Sequence, residues 1–149
     1  MLIQVNGAPV YAYTGGKSFD AAKPTVVFIH GVLNDHSVWI LQSRYLAHHG
    51  WNVLAIDLPG QGRSGGQPPA SVEEAADVVL ALLGAAGIDQ AALVGHSFGS
   101  LIALEAAARS PAHVSHLVLV GTAFPMAVSP ALLEASVKAP EKAIAMVNT

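Results

Sequence analysis

Gly95-His96-Ser97-Phe98-Gly99 follows the apolar run Ala91-Ala92-Leu93-Val94 and precedes a helix-favouring stretch from Ser100 to Arg109. A G-x-S-x-G spacing between a strand-like and a helix-like segment predicts a strand, a tight turn and a helix. A serine hydroxyl is a poor nucleophile at neutral pH until it is positioned, exposed and relieved of its proton. The turn does the first two. Glycines at 95 and 99 leave room for crowded backbone, and the N–H groups of the following helix face any negative charge that forms beside Ser97.

Outward from this turn, Thr25-Val26-Val27-Phe28-Ile29 and Asn52-Val53-Leu54-Ala55-Ile56 are nearly continuous apolar runs, as strands buried on both faces of a parallel sheet require. Leu2 to Val5 and Val10 to Tyr13, separated by Asn6-Gly7-Ala8-Pro9, predict a hairpin. A helix is expected from about Ser37 to His49, closed by Gly50, and a second from Ser71 to about Ala85, where Ser71 and Glu74 form a capping box. Leu117 to Val120 reads as the last strand. The alternation predicts an α/β fold: a mostly parallel sheet with helices on both faces. After Gly121 the pattern changes, with Pro125, Pro130 and Pro140 punctuating two short helical stretches, Pro130 to Lys138 and Glu141 to Asn148.

The composition narrows the function. With 149 residues the chain is about one domain long. A net charge of −3 without any Lys/Arg cluster argues against nucleic acid and against an anionic membrane surface as partner. The absence of cysteine excludes disulfides and thiolate metal sites. Met1 to Gly7 lacks the basic and apolar regions of a signal peptide, and the longest apolar stretch, Leu117 to Val128, is too short to span a bilayer. A cytoplasmic location is expected. Hydrophobic residues make up 52% and charged residues 11%, with a mean hydropathy of +0.48, so apolar surface is expected to remain uncovered.

Ligands of open parallel sheets bind beyond the carboxyl ends of the strands, where three loops should converge. They read His30-Gly31-Val32-Leu33-Asn34-Asp35, Asp57-Leu58-Pro59-Gly60-Gln61-Gly62-Arg63-Ser64 and the turn at Ser97. Together they resemble the α/β-hydrolase family over nearly the whole chain. The resemblance makes Ser97 the nucleophile, the backbone N–H groups of Val32 and Phe98 the oxyanion donors, and His30 and Gly31 the loop that touches substrate. Relatives that open epoxides or remove halide carry a carboxylate at the turn, so Ser97 points to esters, thioesters, amides, lactones or activated ketones. A small apolar carbonyl compound is the expected substrate, with no metal or organic cofactor needed. Acyl transfer or cofactor-free peroxidase chemistry at the same serine is a related alternative. A binding module without turnover is a separate one.

The family's serine also needs an acid and a histidine, in that order, after Ser97. His113 and His116 follow it but lie at the amino edge of the sheet, about 15 Å from the carboxyl edge. His96 should point away from its neighbour. His36 lies on the correct edge and is weighed as a base against a plain role at the start of a helix. Asp57 is expected to hold its own loop, Arg63 to brace it, and Trp39 and Trp51 to pack. No carboxylate follows Val120 before Glu134. These observations lead to the expectation of an N-terminal hydrolase portion. Residues 1–122 would form part of the core and 123–149 the beginning of a helical cap, with the last strands, the acid and the base absent. The sheet edge at Leu117 to Val120 would then favour self-association.

Overall fold

The computed structural model describes residues 1–147. Among these the strands are β1 (Leu2–Val5), β2 (Ala8–Tyr13), β3 (Thr25–Ile29), β4 (Asn52–Ile56), β5 (Ala91–His96) and β6 (Val114–Val120). The helices are α1 (Ile40–His48), α2 (Val72–Ala85), α3 (Phe98–Arg109), α4 (Pro130–Lys138) and α5 (Pro140–Val147). The strands form one sheet in the order β1-β2-β4-β3-β5-β6. β1 and β2 are antiparallel to their neighbours, and β4, β3, β5 and β6 run parallel.

Local chemistry accounts for most boundaries. Asn6 and Gly7 both have positive φ, 51° and 82°, the backbone of a tight two-residue hairpin turn. That turn is shorter than the expected four residues, because Ala8 and Pro9 already pair with Val5 and Gln4. A 3₁₀ turn at His36–Trp39 leads into α1. The Ser71 hydroxyl caps α2 by accepting the Glu74 N–H, while the Glu74 carboxylate reaches back to the N–H of Ala70. β6 starts before Leu117, since Val114 and His116 pair with Ala91 and Ala92 across an irregularity. The last helix begins at Pro140 rather than Glu141. Asn148, its expected end, lies outside the described residues.

Alternation along the central strands divides the core into two layers. Val27, Ile29, Leu54, Ile56 and Leu93 face α2 and α3, meeting Val79, Leu82, Leu83, Ile102 and Ala103. Val26, Phe28, Val53, Ala55 and Ala92 face the other way, toward Trp39 and Ala47 of the α1 layer. Helices therefore cover both faces. β6 is different: Leu117, Val118, Leu119 and Val120 are 36–47% exposed at the edge of the sheet. No helix among the described residues is long and apolar enough to cross a membrane.

Candidate active site

β4, β3 and β5 end level with one another, with Ile29 opposite Ile56 on one side and Gly95 on the other. Equal ends and parallel direction bring the loops after Ile29, Ile56 and His96 out side by side. Ser97 stands between β5 and α3 with φ 52° and ψ −121°, a left-handed backbone that a residue with a side chain adopts only when its surroundings impose it. Its N–H is fixed on the Val120 carbonyl at 2.9 Å.

The two glycines of the turn are there for space. A Cβ on Gly95 would strike the Gly99 carbonyl and come within 2.6 Å of the Ser100 Cα, and one on Gly99 would strike the carbonyls of Ile29 and His30. Gly31 brings the next loop into contact, because a Cβ there would lie 3.2 Å from the Ser97 Cβ. Val32 follows Gly31, half-exposed, in a turn closed by Asn34 N–H on the Gly31 carbonyl at 3.3 Å, with Leu33 at φ 59°. The Phe98 N–H heads α3, where the first amides have no partner within the helix. Val32, Leu33, Asn34, Gln61, Pro68 and Phe98 are among the walls of a cleft of about 490 Å³.

His30, expected on the substrate side, is turned inward and has no exposed surface. Its Nδ1 lies 2.8 Å from the Gly31 carbonyl and its Nε2 accepts the Leu58 N–H at 3.1 Å. Burial holds its pKa below the usual histidine value, against the opposing pull of the Gly31 carbonyl and Asp57.

Asp57 is fully buried and keeps the loops together. Its Oδ1 accepts the His36 N–H at 2.7 Å and faces His36 Nδ1 at 2.8 Å, and its Oδ2 accepts the Arg63 N–H at 2.8 Å. Arg63 itself donates to the Tyr11 hydroxyl and lies over that ring. Asp35 accepts the Ser37 N–H, and Ser37 holds its carboxyl below the usual carboxylate range. Asp35, His36 and Asp57 bring potential ligand atoms within 4.8 Å of one another. Both Asp57 oxygens and the Asp35 carboxylate are already engaged by N–H donors, which makes the cluster a clamp between loops.

None of these histidines serves Ser97. The His36 ring packs on Tyr11 and Tyr13 of β2 and meets Asp57 at the end of β4, two strand spacings from β5 and so about 10 Å away, against a hydrogen-bond reach of about 3 Å. His116 pairs with Ala92 near the start of β5, and His113 precedes β6 and hydrogen-bonds Ser110. The His96 ring lies edge-on to Trp39 and beside Gly121. His49 stacks on Tyr45. Among the described residues, no histidine or carboxylate hydrogen-bonds the Ser97 hydroxyl. The His36–Asp57 pairing is the feature that sequence reasoning missed. Its partners are 21 residues apart, and the only hint was that both belong to loops on one sheet edge.

With this geometry, the similarity to known proteins is specific. The alpha/beta hydrolase fold family matches residues 24–142. The chain belongs to that family. It is 37% identical over 100 residues to lipase LipV of Mycobacterium tuberculosis, an alignment covering 66% of this chain and 37% of the lipase. Among solved structures, Est816, described as an N-acyl homoserine lactone degrading enzyme, superposes with a TM-score of 0.78 at 27% identity. That match covers 97% of this chain and 54% of Est816. Epoxide hydrolase A from Mycobacterium thermoresistibile gives 0.69 at 26% identity, over 80% of this chain and 37% of that protein. The matched region spans only 26–40% of the length of the curated relatives.

Proposed function

We propose that this hydrolase cleaves a carboxylic ester or a related carbonyl compound with Ser97 as nucleophile. The observation that supports this most is the Ser97 backbone, held left-handed at the end of β5 with Gly31 packed against it. The Ser97 Oγ would attack the carbonyl carbon while its proton passes to a base. The carbonyl oxygen takes up the negative charge, and the Val32 and Phe98 N–H groups stabilise it. Collapse then expels the alcohol and leaves an acyl-serine, which water hydrolyses.

The base and the acid that orients it are assigned to chain outside residues 1–149. Two observations support this: no histidine among the described residues reaches Ser97, and the relatives are much longer than the matched region. Residues 123–149 are assigned to the opening of a cap, and the exposed edge of β6 to self-association when nothing covers it.

Hydrolysis of a neutral short-chain p-nitrophenyl ester tests the reading in the 149-residue chain and in the product of the complete coding frame. Turnover in the complete product, abolished by Ser97→Ala, is expected, with little above background in the 149-residue chain. Full activity after Ser97→Ala would refute the nucleophile. Ordinary esterase turnover by the 149-residue chain would refute the external base. The oxyanion donors alone leave a residual rate over water, so the comparison is made with Ser97→Ala and not with buffer.

A further inference from the structure

We propose that this site selects its substrate by charge: Asp35 gives the cleft beside Ser97 a negative wall that favours esters carrying an ammonium group over those carrying a carboxylate. The inference rests on the Ser97 reading and narrows its class of substrate. The cleft of about 490 Å³ adjoins the reacting centre through two of its walls, Phe98 and Val32. Phe98 directly follows Ser97, and Val32 follows Gly31, where a Cβ would lie 3.2 Å from the Ser97 Cβ.

Among the described residues that line this cleft, Asp35 is the single charged side chain. Its Oδ1 accepts the Ser37 N–H at 2.7 Å, and hydrogen bonds from Ser37 keep the carboxyl below the usual carboxylate range, so it is ionised at neutral pH. Accepting an N–H does not cancel that charge. Among the described residues no lysine, arginine or histidine forms an ion pair with it. A second carboxylate stands directly behind another wall: a Cβ on Gly62 would strike that of Asp57.

The groups that could offset Asp35 are committed elsewhere. Arg63 follows Gly62, yet its guanidinium donates to the Tyr11 hydroxyl at 3.1 Å and lies over that ring. His36 is paired with Asp57 at 2.8 Å. Burial holds the His30 pKa below the usual histidine value, so that ring stays neutral at pH 7. The remaining walls are apolar, as at Leu33 and Pro68, or neutral amides, as at Asn34 and Gln61. A cleft with one sign of charge and low-dielectric walls concentrates its field on whatever enters. That field attracts an ammonium group and repels a carboxylate, while a neutral ester is judged by shape alone.

Three thioacetates separate charge from shape: the cationic 2-(trimethylammonio)ethyl ester, its neutral 3,3-dimethylbutyl isostere and the anionic 2-carboxyethyl ester, all read by thiol release. In the complete enzyme kcat/KM is expected to be highest for the cation and lowest for the anion, with the spread narrowing as salt shortens the screening length below about 10 Å. Asp35→Asn should lower the cation-to-anion ratio roughly 10-fold. Asparagine still caps the Ser37 N–H, so the loop keeps its start. Gln61→Lys adds a cation to another wall without touching that cap, should lower the ratio as well, and decides the matter if Asp35→Asn does not fold. A ratio that folded Asp35→Asn leaves unchanged, or a preference for the anion, would overturn the proposal. Calorimetric binding of the three compounds to the complete Ser97→Ala protein is independent of turnover and should follow the same order. Equal dissociation constants there would end the charge proposal with the serine reading intact. Turnover that survives Ser97→Ala would sink the serine reading itself, while the order of kcat/KM still reports the charge of the cleft.

Discussion

Asp57 and His36 are joined twice: the buried carboxylate oxygen accepts the His36 backbone N–H at 2.7 Å and meets the His36 ring at 2.8 Å. With Leu58 N–H on His30, this pins the loop after β3 to the loop after β4 at both its ends. The loop that carries Val32 is thereby held before any ligand arrives.

Removing Asp57 should therefore be costly. Asp57→Ala leaves the His36 and Arg63 N–H groups and the His36 ring without their acceptor. The expected loss is about 3 kcal/mol, read as a lower midpoint in urea denaturation. His36→Ala, which leaves Asp57 the His36 and Arg63 backbone N–H groups, should cost less. Equal, small losses would show that the clamp contributes nothing.

Glycine positions make opposite predictions. Gly99→Ala drives a methyl into the carbonyls of Ile29 and His30 and should destabilise the fold by about 3 kcal/mol, the upper end of the usual cost of overpacking. Gly84→Ala, in α2 with nothing within 4 Å of the new methyl, should stabilise it by about 0.5–1 kcal/mol. Thermal melts of the two variants check both signs.

Stability should depend on pH through His30. Its folded pKa is depressed by burial, so between that value and about 6.5 the unfolded chain binds a proton that the folded chain refuses. The contribution is fully present above about pH 6.5 and falls as pH drops toward the folded value. His30→Asn should remove that part of the slope when urea midpoints are measured across pH. A slope unchanged by the substitution would assign it to other groups.

The β6 edge can be tested with one charge. Val118 is 47% exposed and belongs to a run of four exposed apolar residues. Val118→Lys is expected to reduce self-association of the 149-residue chain in sedimentation velocity, because a charged side chain opposes edge-to-edge pairing. A wild-type chain that sediments only as monomer would remove the premise.

The central strands and α2 were legible because their signals are local. Thr25 to Ile29 and Asn52 to Ile56 are runs that only a doubly covered strand accommodates, and Ser71 with Glu74 marks a helix start within four residues. The hairpin turn is shorter than its sequence suggests because Pro9, a common turn residue, instead pairs opposite Gln4 of β1. β6 is longer than its apolar run because Val114 to His116 owe their strand state to Ala91 and Ala92 of the neighbour.

The sequence by itself determined the α/β alternation and the strand-turn-helix around Ser97, since both follow from periodicity and from glycines that leave room for crowded backbone. Tertiary structure alone decided which way the histidines face. It turned His30 inward onto Leu58, carried His36 across to Asp57 and Tyr11, and left His116 at the far end of β5's partner strand. The physical reason is that a ring nitrogen is committed by whichever donor or acceptor lies within about 3 Å, and chain folding brings those partners from 21 to 28 residues away.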